Sequence, residues 1–278
     1  MTALKRLDTC IICFKHYAAI IFLNLNLGFA MKTLPIKLKK EPLIDAVFEI
    51  RFTSVFPAGG ILPGLLFGKL GGNKAIEQLP AAQIPQALRD AELNFQFAPL
   101  SRLNWEQFYI NIGDRSVSVG FKHPYPGWSS FKPAITKVMD ALKAADIIKS
   151  IERYSLKYID LLPATSLLEQ VAFINFDVTL AGHKLENEAF QLRIEIQKDN
   201  FIHAVQIVSS ATATLHNGES RQGLIVDVDT IVNQAGISFD ELFSGISDKL
   251  EDIHQANKKM FFDCLKPTTI TALEPEYE

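Results

Sequence analysis

Alternation of apolar and polar positions is the clearest signal in this chain. From Pro42 to Phe52, Ala46, Phe48, Ile50 and Phe52 share one phase, and Val47, Glu49 and Arg51 share the other. That period of two predicts a β-strand with one covered face and one polar face. Further strands are predicted over residues 116–122, 151–161, 190–198, 201–209 and 223–229. The runs 93–97, 105–112 and 173–180 are read as strands on β-rich composition and partial alternation. Gly113-Asp114 and Asn217-Gly218 supply turn signals.

A different period marks two helices. Phe131, Ile135, Val138, Leu142 and Ala145 recur at steps of three and four, with Met139 beside them and Pro133 in the first turn, predicting a helix over 128–148. Phe243, Ile246, Leu250, Ile253, Met260 and Cys264 predict a second over 239–265. Its start carries a capping box, Ser238 with Glu241, and a staple, Ile237 with Leu242. The segment 56–72, rich in glycine, reads as a mobile loop with a helical turn near Leu65-Leu66-Phe67, and 84–92 as a short helix. Strands followed by a helix occur twice. The expected fold is therefore α+β, with similar halves at 31–163 and 164–278, each an antiparallel sheet covered on one face by a long helix.

Residues 1–30 stand apart: Lys5 and Arg6 precede an apolar run from Tyr17 to Leu27 that Asn24 and Asn26 interrupt. The run is short for a membrane span, and Met31-Lys-Thr-Leu-Pro35 reads as a natural start. This stretch is expected to be a mis-assigned start or leader, poorly ordered, with secretion or anchoring following only from a true leader. The full chain of 278 residues is 48% hydrophobic and 21% charged, the balance of a globular protein. Its 28 basic residues against 31 acidic ones, net −3, argue against a protein that coats duplex nucleic acid. Cys10, Cys13 and Cys264 are too sparse for a disulfide framework and fit the reducing cytoplasm. The CxxC spacing of the first pair lacks the partners that zinc or redox chemistry needs.

No phosphate-loop, dinucleotide, nucleophile-elbow or HExxH signature is present, so no cofactor is implied. His254, beside the second helix's apolar stripe, is expected to be a packed residue. Asp177 with Glu195-Ile-Gln197-Lys198 approaches a nuclease pattern, but the lysine falls one place late. The informative pattern is collective. Glu49 and Arg51, Arg153 and Lys157, Arg193 and Glu195, and Asp227 and Asp229 all fall on the polar phases of their strands. With helices covering one side of the sheet, these charges converge on the other. The expected function is a non-enzymatic binding or accessory module that recognises a partner protein or a small charged ligand there. Two further readings are a metal-dependent hydrolase or nuclease using Asp227 and Asp229 with Glu195 or Glu49, and nucleic-acid binding through Arg51, Arg153, Lys157 and Arg193. The plainest alternative is a solvated face of cross-strand ion pairs.

The strand Pro42-Leu-Ile-Asp-Ala-Val-Phe-Glu-Ile-Arg-Phe52, the helix opening Trp128-Ser-Ser-Phe131, the strand Arg153-Tyr-Ser-Leu-Lys-Tyr-Ile-Asp160, the acidic strand Val226-Asp-Val-Asp229 and His254 before Phe261-Phe262 carry a resemblance. Together they resemble a sporadically distributed family of uncharacterised bacterial proteins of about 250 residues, for which the likeness implies an architecture and no activity. Lys157 and Asp160 stand where that family's pattern has Arg and Asn. An accessory role in defence or stress is what the resemblance implies by association.

Overall fold

The computed structural model describes residues 33–214 and 218–277. The leader assignment for residues 1–30, Cys10, Cys13 and Asn217 of the predicted turn lie outside them. The fold is α+β, built on one antiparallel sheet of nine strands. In chain order these are β1 (Leu43–Ser54), β2 (Lys74–Gln78), β3 (Pro99–Trp105), β4 (Phe108–Gly113), β5 (Ser116–Phe121), β6 (Ile148–Pro163), β7 (Gln191–Lys198), β8 (Phe201–Thr214) and β9 (Ser220–Ile237). Across the sheet the order is β7-β8-β9-β6-β1-β5-β4-β3-β2, so β6 and β1, 16 and 12 residues long, lie near its centre. Helices α1 (Leu62–Lys69), α2 (Gln86–Ala91), α3 (Trp128–Lys143), α4 (Leu167–Ala172), α5 (Phe239–Phe243), α6 (Ile246–Cys264) and α7 (Pro267–Ala272) complete the chain.

Register shows why β1 is amphipathic. Ala46, Phe48 and Ile50 pair with Tyr158, Leu156 and Tyr154 of β6, and those pair onward with Val228, Thr230 and Val232 of β9. Residues directly opposite in an antiparallel ladder share a face. That face is buried in a core that also holds Phe131, Ile135, Val138 and Leu142 of α3 and Ile246, Leu250 and Ile253 of α6. Farther along α6, Met260, Phe261 and Phe262 enter a second core with Val205, Ile207, Val226 and Val228. Between the two stretches stands Asn257, fully buried, whose Nδ2 donates to the backbone carbonyls of Leu156 at 2.9 Å and Val228 at 2.8 Å. One polar side chain therefore ties α6 to two central strands where the cores meet.

The structure corrects several local expectations. The capping box at Ser238 and Glu241 forms, but the single helix expected over 239–265 is two, because Gly245 adopts φ 72°. A left-handed residue cannot continue an α-helix, and glycine takes that conformation without a Cβ penalty. The run 93–97 is turn, not strand: Phe95 N–H bonds to Glu92 O and Ala98 N–H to Phe95 O, at 2.9 and 3.0 Å. The aromatic run 105–112 is split by a hairpin turn at Glu106, φ 51°, with Trp105 paired to Phe108. In place of a strand over 173–180, the chain leaving α4 makes a single bridge from Ile174 to Leu265 and a two-residue pairing of Thr179–Leu180 with His183–Lys184. The expected mobile loop contains α1, which buries Leu62 and Leu66.

Truncating Phe48, almost wholly buried at the sheet centre, is expected to cost about 3–5 kcal/mol, whereas Arg193→Ala on an exposed strand position should stay within about 0.5 kcal/mol. Urea unfolding of the two variants against the parent measures both.

Candidate functional site

The polar face gathers most of the residues singled out from the sequence. Arg51 of β1 lies directly opposite Arg153 of β6, a like-charge pairing that would repel on its own. Glu49 resolves it by accepting from Arg51 Nε at 2.7 Å and Arg153 at 3.1 Å, and Arg153 also approaches Asp229 at 4.0 Å. Lys157 pairs with Asp227 at 2.8 Å. The Arg51 guanidinium stacks over the Phe97 ring, 4.3 Å from its centroid. Arg193 and Glu195 pair with one another at 2.9 Å on β7, two strands from β6's neighbour β9 and largely in solvent. Burial raises the carboxyls of Asp227 and Asp229, with Lys157 and Arg153 respectively opposing the rise. Charges of both signs are interleaved among these residues, each cation set beside a carboxylate. Among the described residues no group of three or more His, Cys, Asp or Glu is placed to hold a metal ion.

A second constellation lies on the helix-covered side, and the sequence reading did not assemble it. It is a cavity of ≈ 530 Å³ at the start of α3, between α6 and the ends of β1 and β6. Tyr158 and Asp160 reach it from β6, Asn257 and Lys258 from α6, and Glu41 from the chain entering β1. Tyr125 and Trp128 form an aromatic wall. The Trp128 ring stacks on His254 with centroids 4.1 Å apart and planes 11° off parallel, while its Nε1–H donates to Glu251 at 3.0 Å. Lys132 reaches the same carboxylate at 3.1 Å, so the wall is clamped between α3 and α6. Tyr125 OH, Tyr158 OH and His254 Nδ1 form a hydrogen-bonded row with steps of 3.3 and 3.1 Å. A register irregularity between Leu43 and Asp45 of β1 sets Leu43 opposite Asp160, a strand distortion of the kind found where side chains are re-aimed.

The electrostatics of the cavity are unbalanced. Asp160 is only 6% exposed, and among the described residues its carboxyl has neither a hydrogen-bond donor nor a salt-bridge partner. Burial drives its pKa well above the usual carboxylate value, and the nearby acids Glu41 and Asp227 push it the same way. Glu41 is itself raised by burial. Burial lowers His254 to about 4, so the imidazole is neutral at pH 7, and lowers Lys258 as well. Asn257 spends its amide protons on the two strands, and its buried Oδ1 has no partner among the described residues. The unspent groups deep in the cavity are therefore an acceptor and an acid whose charged form burial disfavours. Another cavity, ≈ 500 Å³, is lined by Arg89 and Asp114, but those two already pair at 2.7 Å.

The sequence carried a signal for the missed site. Asp160 sits on the inward phase of β6, after Tyr154, Leu156 and Tyr158, and Asn257 sits between Ile253 and Met260 on the apolar stripe of α6. A polar residue on a covered phase is rarer and more telling than a charge on an open one. His254 is packed, as expected, yet packed into the cavity wall. Cys264 is half-buried, and burial raises its thiol to about 11, which makes it an inert packing group. No protein-family model matches this chain, and no curated protein matches it.

Asp160 generates a pH-dependent expectation. A folded-state pKa above the ordinary 3.8 gives a contribution to stability that is complete below that pH and lost as pH rises through the folded value. Asp160→Asn, uncharged and nearly isosteric, should therefore raise Tm at neutral pH, with the two melting curves converging below pH 3.8. His254 acts in the opposite sense: its contribution is complete above 6.5 and lost as pH falls through about 4, so both proteins should keep an acid-side decline. Scanning calorimetry from pH 3 to 8 reads both limbs.

Proposed function

We propose that this protein is a non-catalytic binding module for a small organic ligand, with the aromatic-walled cavity beneath the start of α3 as its site. The observation that carries the reading is Asp160: a carboxyl buried in a cavity wall without a partner opposes folding at neutral pH and gains a role only when something else fills the space. The size of the cavity and its few convergent polar groups fit a ligand pocket. Occupied by a ligand at about a hundredfold its Kd, such a site gains about 2.7 kcal/mol. We read the sheet as two fused α+β halves, with α3 and α6 as their respective covers; the repeated order of strands then helix supports this. The sparse cysteines support a cytoplasmic setting. Among the described residues no helix is long and apolar enough to cross a membrane.

A second reading, recognition of a partner protein on the polar face, is favoured by Arg153 Nε and Asp229 Oδ1, both buried there without hydrogen-bond partners among the described residues. The metal-dependent reading has less support, since the Lys157 ammonium already stands 2.8 Å from Asp227.

Two measurements separate these readings. In thermal-shift screening against small organic molecules, hits on the parent protein should disappear in Ser129→Phe, which places a ring in the cavity lining. Equal shifts in both proteins would remove the cavity reading. Recovery of a bound protein by the parent but not by an Arg51→Ala, Arg153→Ala double variant would favour the polar face instead.

A further inference from the structure

Resting on the cavity reading, the geometry points to a ligand class: we infer that the cavity binds an organic ammonium, its charged head taken by the Asp160 carboxylate and its carbon body lying against Trp128 and Tyr125. Three observations converge. The deep polar groups are short of donors, since Asp160 has no partner among the described residues and the buried Oδ1 of Asn257 has none. Glu41, also on the cavity lining, adds a second acid close enough to Asp160 for their charges to interact. The walls supply aromatic faces: Trp128 is held rigidly by its stack on His254 and its bond to Glu251, and Tyr125 packs edge-on against both Phe131 and Tyr158. A cation between carboxylates and aromatic rings is the standard physical complement of such a lining.

The positive groups nearby must be weighed against this. Lys258 lines the cavity, and Lys37 both lines it and lies within charge range of Glu41. Lys258 is held in a partly desolvated position that disfavours its charge, with Glu251 as its opposing acid. His254 is neutral at pH 7 and shares its Nδ1 with Tyr158, so it neither repels a cation nor competes for the acid. None of these groups bonds to Asp160, and the carboxyl is left to an incoming donor.

Binding has a defined proton balance. Any proton that the buried Asp160 carboxyl carries passes to the buffer as the ammonium enters, leaving a carboxylate–ammonium pair and a net release of up to one proton per site. Desolvation that disfavours an isolated charge does not disfavour a hydrogen-bonded pair to the same degree.

The test is isothermal calorimetry of the full chain at pH 7 with three probes of one shape: phenethylammonium, phenethyl alcohol and hydrocinnamate. Each is titrated in two buffers of different ionisation enthalpy. The expected result is binding of the ammonium with proton release, alcohol and carboxylate weaker by about tenfold to a hundredfold, and a similar loss for the ammonium with Asp160→Asn. Asp160→Asn is expected to fold at least as well as the parent, and its melting curve is recorded beside the titration. Equal affinity for ammonium and alcohol, or preference for the carboxylate, would overturn the ligand class and leave the cavity as a binding site. Binding of the ammonium without proton release would show Asp160 already ionised and overturn the proton balance; binding unchanged by Asp160→Asn would place the ammonium elsewhere. No binding of any probe would count against both the class and the site.

Discussion

The side-chain amide of Asn257 holds this fold together at its least forgiving point. α6 must serve two cores, Ile246, Leu250 and Ile253 in one and Met260, Phe261 and Phe262 in the other. Between them it crosses β6 and β9, the most extensive pairing of the sheet, and there Asn257 donates to a carbonyl of each strand. Apolar burial alone would let a helix slide or rotate over the pleats, because hydrophobic contact has no direction. Two buried hydrogen bonds to fixed carbonyls set both the axial position and the rotation of α6. That rotation is what turns His254 toward Trp128 and Tyr158, and Lys258 toward the cavity.

The two faces of the sheet then solve opposite electrostatic problems. On the open face, Arg51 and Arg153 are brought side by side by register and made tolerable by Glu49, while Asp227 and Lys157 neutralise one another. These groups are partly hydrated, so each pair contributes little, roughly 0–1 kcal/mol, and the strip mainly fixes side-chain positions. On the covered face, Asp160 is buried within charge range of Glu41 and Asp227, with no ion-pair partner among the described residues. A fold selected for stability alone has no use for such a group, and an asparagine would fit the same space. Local disagreement with the general pattern of burial is the mark of a site whose purpose lies outside the folded chain itself.

The strand phase of β1, the apolar stripe of α3, the hairpin at Gly113-Asp114 and the capping box at Ser238 were all legible in the sequence, because each is decided by residues close along the chain. The break at Gly245 was hidden because apolar positions continue on both sides of it, from Phe243 to Ile246, as if one helix ran through. Leu93, Phe95 and Phe97 alternate like a strand but fold as turns, with Phe97 lying under the Arg51 guanidinium, a contact no local pattern encodes. β2 was missed because it is an edge strand with its side chains mostly in solvent, leaving little hydrophobic signal. The charged set was legible as a set, since strand phase alone puts those residues on one face. The cavity was not. It draws on Glu41, Tyr125, Tyr158, Asp160, His254 and Asn257, which come together only when α3 and α6 close over β6.

The central claim is that burial disfavours the charged form of Asp160 and holds the carboxyl ready for a ligand's charge. Infrared difference spectroscopy between the parent and Asp160→Asn at neutral pH tests this directly, because a protonated carboxyl has a C=O stretch distinct from the carboxylate bands. The account predicts a carboxylic-acid band that is lost on substitution. A difference spectrum holding only carboxylate bands would show Asp160 already ionised and stabilised within the fold, and would contradict the account.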